Sequence, residues 1–138
     1  MGLYLAIFDN DQNELDAVEV GSYADFNFFR DAVTATVEKG MAGKKCPTLI
    51  NHSDNDGQWT PVDASALLLE LDAIARELPN FPPVELNAEW KLETARVFGI
   101  TPKSLLDCFF DIDGISLVER LQDLSSLSVE KSLPILFQ

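Results

Sequence analysis

The chain has one histidine, His52, so any pairing of nucleophile and base must be built on it. Cys46 or Cys108 would then be the nucleophile, with Ser53 or Asp54 as neighbours. Nothing else in the sequence supports that chemistry. There is no nucleophile elbow, no glycine-rich phosphate loop and no His/Cys set at metal-ligand spacing. Cys46 precedes a proline and Cys108 lies in an apolar run, settings typical of inert thiols. The sequence reads as non-catalytic, with no catalytic residue and no cofactor assigned.

A second constellation, His52-x-Asp54-x-Asp56-Gly57, is spaced like the start of a calcium loop, with Thr60 and Asp63 at the later ligand places. Two ligands are wrong for it. The first should be an acid and is His52, and the last should be a bidentate glutamate and is Asp63. No metal site is assigned, and calcium binding through 52–63 stays a minor alternative. What remains is an acidic loop, Asp54, Asp56 and Gln58, with Trp59 beside it as an aromatic anchor. That combination suits a protein interface. The competing reading is a tight turn that caps the next helix. Asp111-Ile112-Asp113-Gly114 is too short for a metal cage and reads as a turn.

Charge points the same way. Ten basic side chains face twenty-three acidic ones, a net charge of −13 at pH 7. Such a field repels nucleic acid and anionic lipid and attracts basic proteins. The acid is also concentrated. Residues 1–29 carry Asp9, Asp11, Glu14, Asp16, Glu19 and Asp25, and residues 46–75 carry Asp54, Asp56, Asp63, Glu70 and Asp72, with no Lys or Arg in either stretch. Asp9, Asp11 and Glu14 therefore extend the candidate interface. Solubility alone is the plainer account of the same charge.

These residues must be positioned by short elements. Leu3 to Phe8 and Leu15 to Val20 flank Asp9-Asn10-Asp11 and predict an antiparallel hairpin. Ser22 to Asp25 starts a helix whose stripe is Phe26, Phe29, Val33 and Val37, closed near Gly40. Pro47 to Ile50 predicts a short strand. Thr60-Pro61-Val62-Asp63 gives the best helix start in the chain, with Leu67, Leu71, Ile74 and Leu78 as its buried stripe and Pro79 as its stop. Asn87 caps a further helix that ends at Gly99, and Leu117 to Leu124 opens the last helix. Between them Thr101-Pro102 offers a helix start, while the apolar run Leu105 to Ile112 favours a strand, so 105–112 is read as a strand with a helical turn as the alternative. Pro134 to Gln138 closes as a strand, parallel to 105–112 if both share a sheet.

The expected architecture is one α+β domain over 1–138: about five short strands in one sheet, with four helices packed against it. No apolar run is long enough to span a bilayer, and two distant cysteines without a secretory leader point to a reducing cytoplasm.

Several blocks resemble one family. They are Met1-Gly2-Leu3-Tyr4-Leu5, Tyr23-Ala24-Asp25-Phe26-Asn27-Phe28-Phe29-Arg30-Asp31, Pro47-Thr48-Leu49-Ile50-Asn51-His52-Ser53-Asp54 through Trp59, and Pro134-Ile135-Leu136-Phe137-Gln138. Together they look like the bacterial polymorphic-toxin immunity proteins of family 70, over nearly the whole chain. The resemblance implies a cytoplasmic protein that binds and neutralises a cognate toxin, and it brings no binding residues with it. A basic toxin, such as a nuclease, fits the acidic charge. An acidic regulatory or adaptor module with another protein partner is the alternative.

Overall fold

Alternation along the first twenty residues produces the expected hairpin: β1, Leu3–Phe8, pairs antiparallel with β2, Glu14–Gly21. Residues 2–138 are described by a computed structural model, and Met1 of the opening block lies outside them. Asp9 makes the turn, its Oδ1 accepting from the amides of Asp11 and Asn13, both at 2.8 Å. Helix α1, Tyr23–Ala35, starts on a reciprocal capping box between Ser22 and Asp25. Gly40, in the left-handed region at φ 84°, then redirects the chain.

Pro47–Ile50 is not the expected strand but one helical turn, α2. Proline at its first position favours a helix start, and Glu70 accepts from the otherwise orphaned amides of Thr48 and Leu49 at 3.1 and 3.0 Å. Strand β3 is only Gln58–Trp59. Helix α3, Pro61–Glu77, has the predicted start, with Thr60 and Asp63 forming a capping box. A 3-10 turn over Leu78–Asn80 carries the chain past Pro79.

Helix α4, Glu89–Phe98, ends on left-handed Gly99, as expected. Its cap position is Ala88. Asn87 instead accepts from the Lys91 ammonium at 2.8 Å. Leu105–Ile112 does not form a strand either. Leu105–Cys108 is a 3-10 turn, tied by the Lys103 amide donating to Asp107 at 2.9 Å, and Phe110 makes only an isolated bridge to Ser116. The apolar run that suggested a strand is needed to reach the core: Leu105, Cys108, Phe109 and Phe110 are all buried. Helix α5, Leu117–Lys131, and strand β4, Ile135–Phe137, complete the chain.

The result is α+β, with four strands among the described residues where five were expected, in the order β2-β1-β4-β3. Every pairing is antiparallel, so the expected parallel return is absent from this sheet. One face carries Leu3, Leu5, Ile7, Val18, Trp59, Ile135 and Phe137 into a core shared with Phe26 and Phe29 of α1, Leu67 and Leu71 of α3, and Leu121 of α5. Residues that alternate with these point the other way. Tyr4, Phe8 and Leu136 take no part in that core.

Two buried carboxylates tie the helical layer together. Burial alone would raise the Asp25 carboxyl, yet the Ser22 amide, the Trp90 indole, the Ser22 hydroxyl and the Lys91 charge outweigh it and hold it low. Glu38 is the same case: burial raises it, and donors from Cys46, Gly43, Thr34 and Lys45 bring it below its ordinary value. A carboxyl whose folded value is depressed stabilises the fold above its unfolded value of about 4, and that contribution is lost as pH falls through the folded value. The melting temperature is therefore expected to hold steady from neutral pH to about 5 and to fall below about 4. A melting temperature that still climbs toward pH 3 would mean that relief of the −13 self-repulsion outweighs these two groups.

Candidate functional site

The loop from His52 to Gln58 is shaped by one arginine. Arg30 of α1 donates through Nη1 to the carbonyls of Leu49, Ile50 and His52, the last at 2.7 Å, and through Nη2 to Asn27 Oδ1. Asn27 in turn donates to Asp54 Oδ2 at 2.7 Å. Burial pushes the Arg30 guanidinium down, and the charges of Asp54 and Asp31 oppose that. Asp54 is thus half-buried and engaged, while Asp56 and Gln58 are exposed.

Trp59 is not on the surface. It is 1% exposed, stands edge-on to Phe137 with ring centroids 4.7 Å apart, and donates from Nε1 to the Thr48 carbonyl at 3.1 Å. The anchor expected from the sequence is a core residue, because β3 alternates and the Gln58 side is the one that faces out. His52 is held between them. Its ring stacks on Phe137 at 4.1 Å, and its two nitrogens lie 2.8 and 2.9 Å from the carbonyls of Ser53 and Gln58. Asp63 accepts from the Thr60 amide at 3.0 Å and so serves the helix cap. Among the described residues, no group of three His, Cys, Asp or Glu side chains is gathered as a metal would need. Burial first, and then Glu70, Glu38 and Glu77, push the Cys46 thiol up to about 12, which leaves it a poor nucleophile at neutral pH.

The second acidic stretch lies elsewhere. Asp9 closes the hairpin turn, Asp11 is exposed, and Glu14 Oε1 accepts from the Tyr4 hydroxyl at 2.6 Å. That hydrogen bond first, then burial and the charges of Glu14, Glu19 and Asp16, push the Tyr4 phenol up to about 12. Strand order puts β2 and β3 at opposite edges, three strand spacings or about 14 Å apart. Direction puts the two turns at opposite ends as well, since β1 runs toward Asp9 while the loop lies on the entry side of β3. The structure therefore brings Asp54, Asp56 and Gln58 together, and Asp9, Asp11 and Glu14 together, and does not merge the two sets.

Sequence reasoning missed the surface between them. Partners in an antiparallel ladder share a face, so Tyr4 lies beside Glu19, Phe8 beside Glu14, Ala6 between Ala17 and Leu136, and Leu136 beside Gln58. None of the four strands carries a Lys or Arg. The signal was present in the alternation of β1, whose second face is Tyr4, Ala6 and Phe8 where a solvated face would be polar.

A family model described as Immunity protein 70 matches residues 3–137. Searches of curated proteins and of solved structures give no match.

Proposed function

Because the chain belongs to the immunity protein 70 family, we propose that it neutralises a cognate toxin whose surface is basic, as the phosphate-holding surface of a nuclease is. Immunity proteins of polymorphic toxin systems act by binding and catalyse nothing. The observation that carries the basic partner is the distribution of charge. The strands and both acidic turns lack any Lys or Arg within a chain of net charge −13. Like charges in the partner would cost several kcal/mol across such a surface, and opposite charges speed the encounter. Both cysteines are free and buried, and among the described residues no helix is long and apolar enough to cross a membrane. The producer's own cytoplasm is the compartment that goes with this reading.

Asp54→Asn combined with Asp56→Asn keeps the loop's shape and removes two charges. Association with the toxin should slow by up to about 10-fold at low salt, and its salt dependence should flatten, with dissociation little changed. Stopped-flow measurements over a salt series check this. An unchanged rate with an unchanged salt slope would reduce the loop to a turn.

A further inference from the structure

Resting on that toxin-binding reading, we infer that the toxin docks on the helix-free face of the sheet, with Tyr4, Phe8 and Leu136 as its apolar centre. These three side chains are half-buried, lie outside the core and share a face with Ala6, which is fully buried. The charged side chains that share the face are Glu14 and Glu19, both acidic. An apolar centre ringed by charge of one sign is the anatomy of a protein interface, in which central aromatic residues hold the partner and the rim steers it.

Charge selects the occupant. A second copy would bring −13 against −13 and acid against acid across the same face, and nucleic acid would meet the same repulsion. The partner that fits is a protein with a basic surface and an apolar patch at its middle, as the toxin reading requires. Size agrees as well. The four strands hold 19 residues, and at ~4.8 by ~3.3 Å each they cover roughly 300 Å². That is over a third of the ~800 Å² that each partner buries in a standard interface. The acidic turns at opposite corners, Asp9 to Glu14 and Asp54 to Gln58, would supply the remaining rim. Beside Tyr4 and Glu19 the surface drops into a cavity of about 490 Å³ walled by Gly21, Trp90 and Ile112, room for a side chain of the partner.

The test uses the full chain and the purified, catalytically silenced toxin encoded beside its gene, with affinity and melting temperature measured together. Leu136→Glu should weaken binding about 30-fold or more, mainly through faster dissociation. Leu69→Glu, on the exposed side of α3 where Leu69 is 74% exposed, should leave binding unchanged. Gln58→Arg tests the same face at an exposed position if Leu136→Glu melts too low to measure, and should weaken binding about 10-fold. Wild-type affinity in a folded Leu136→Glu or in Gln58→Arg, or a loss confined to Leu69→Glu, would overturn the docking face while leaving toxin binding intact. Failure of the unaltered chain to bind that toxin would sink the functional reading and the face with it.

Discussion

Trp59→Ala is expected to cost about 3–5 kcal/mol of folding stability, the range for deleting a buried aromatic side chain. In a chain of this length that lowers the melting temperature by roughly 10 °C or more. The indole joins three elements. It fills the core under β3, packs edge-on against Phe137 of β4, and bonds to the Thr48 carbonyl of α2. β3 is two residues long, so its pairing with β4 cannot hold it without that side chain. His52, which stacks on the same Phe137, should loosen with it. Trp59→Phe keeps most of the apolar volume and gives up the hydrogen bond, and should cost about 1–2 kcal/mol plus a packing loss. Thermal and denaturant unfolding of the two variants check the order. If the alanine variant melts with the parent and instead releases the toxin faster, the indole must leave the core on binding.

The same residue shows where sequence reading succeeds and where it stops. Trp59 stands beside a polar loop, and local context alone gives it equal claim to surface or core. Only the pairing of β3 with β4 decides, and a two-residue strand leaves no periodicity to read. The hairpin, the capping boxes at Ser22 and Thr60 and the stripes of α1, α3 and α5 were legible because each repeats a pattern over several residues. Pro47–Ile50 and Leu105–Cys108 were not, because a short apolar run fits a strand or a helical turn equally well. Their state is fixed by distant partners, Glu70 for the first and the core for the second. The candidate site divides in the same way. Clustering of acid was visible along the chain, and so was the lack of nearby Lys or Arg. The separation of the two clusters by the width of a sheet, and the open apolar face joining them, follow from a strand order that inserts the last strand between the first and the third.

Glu38→Ala is expected to be nearly as damaging as loss of the indole, through a different mechanism. Glu38 is 2% exposed, and its carboxylate accepts from three donors around it. Thr34 donates through its hydroxyl to Oε1 at 2.9 Å, and the amides of Lys45 and Cys46 donate to Oε2 at 3.1 and 3.0 Å. These bonds fold the segment between α1 and α2 back onto the core, past Lys39 and Gly40 in left-handed conformations. Removing the acceptor strands two backbone amides, each costing about 1–3 kcal/mol when buried, while the Thr34 hydroxyl can turn to other partners. The sum is about 2–6 kcal/mol. Glu38→Gln retains one carbonyl oxygen and turns an amide group toward the other donors, so roughly half of that loss should remain. It should also flatten the acid limb of the stability profile, because the depressed carboxyl no longer titrates. Hydrogen exchange separates this account from a general loosening: the amides of Lys45 and Cys46 should lose protection first. None of these groups lies on a strand, so the folded fraction of either variant should bind toxin with the parent's affinity. A folded Glu38→Gln chain with normal protection at Cys46 but weakened binding would move the interface to the helical side of the molecule.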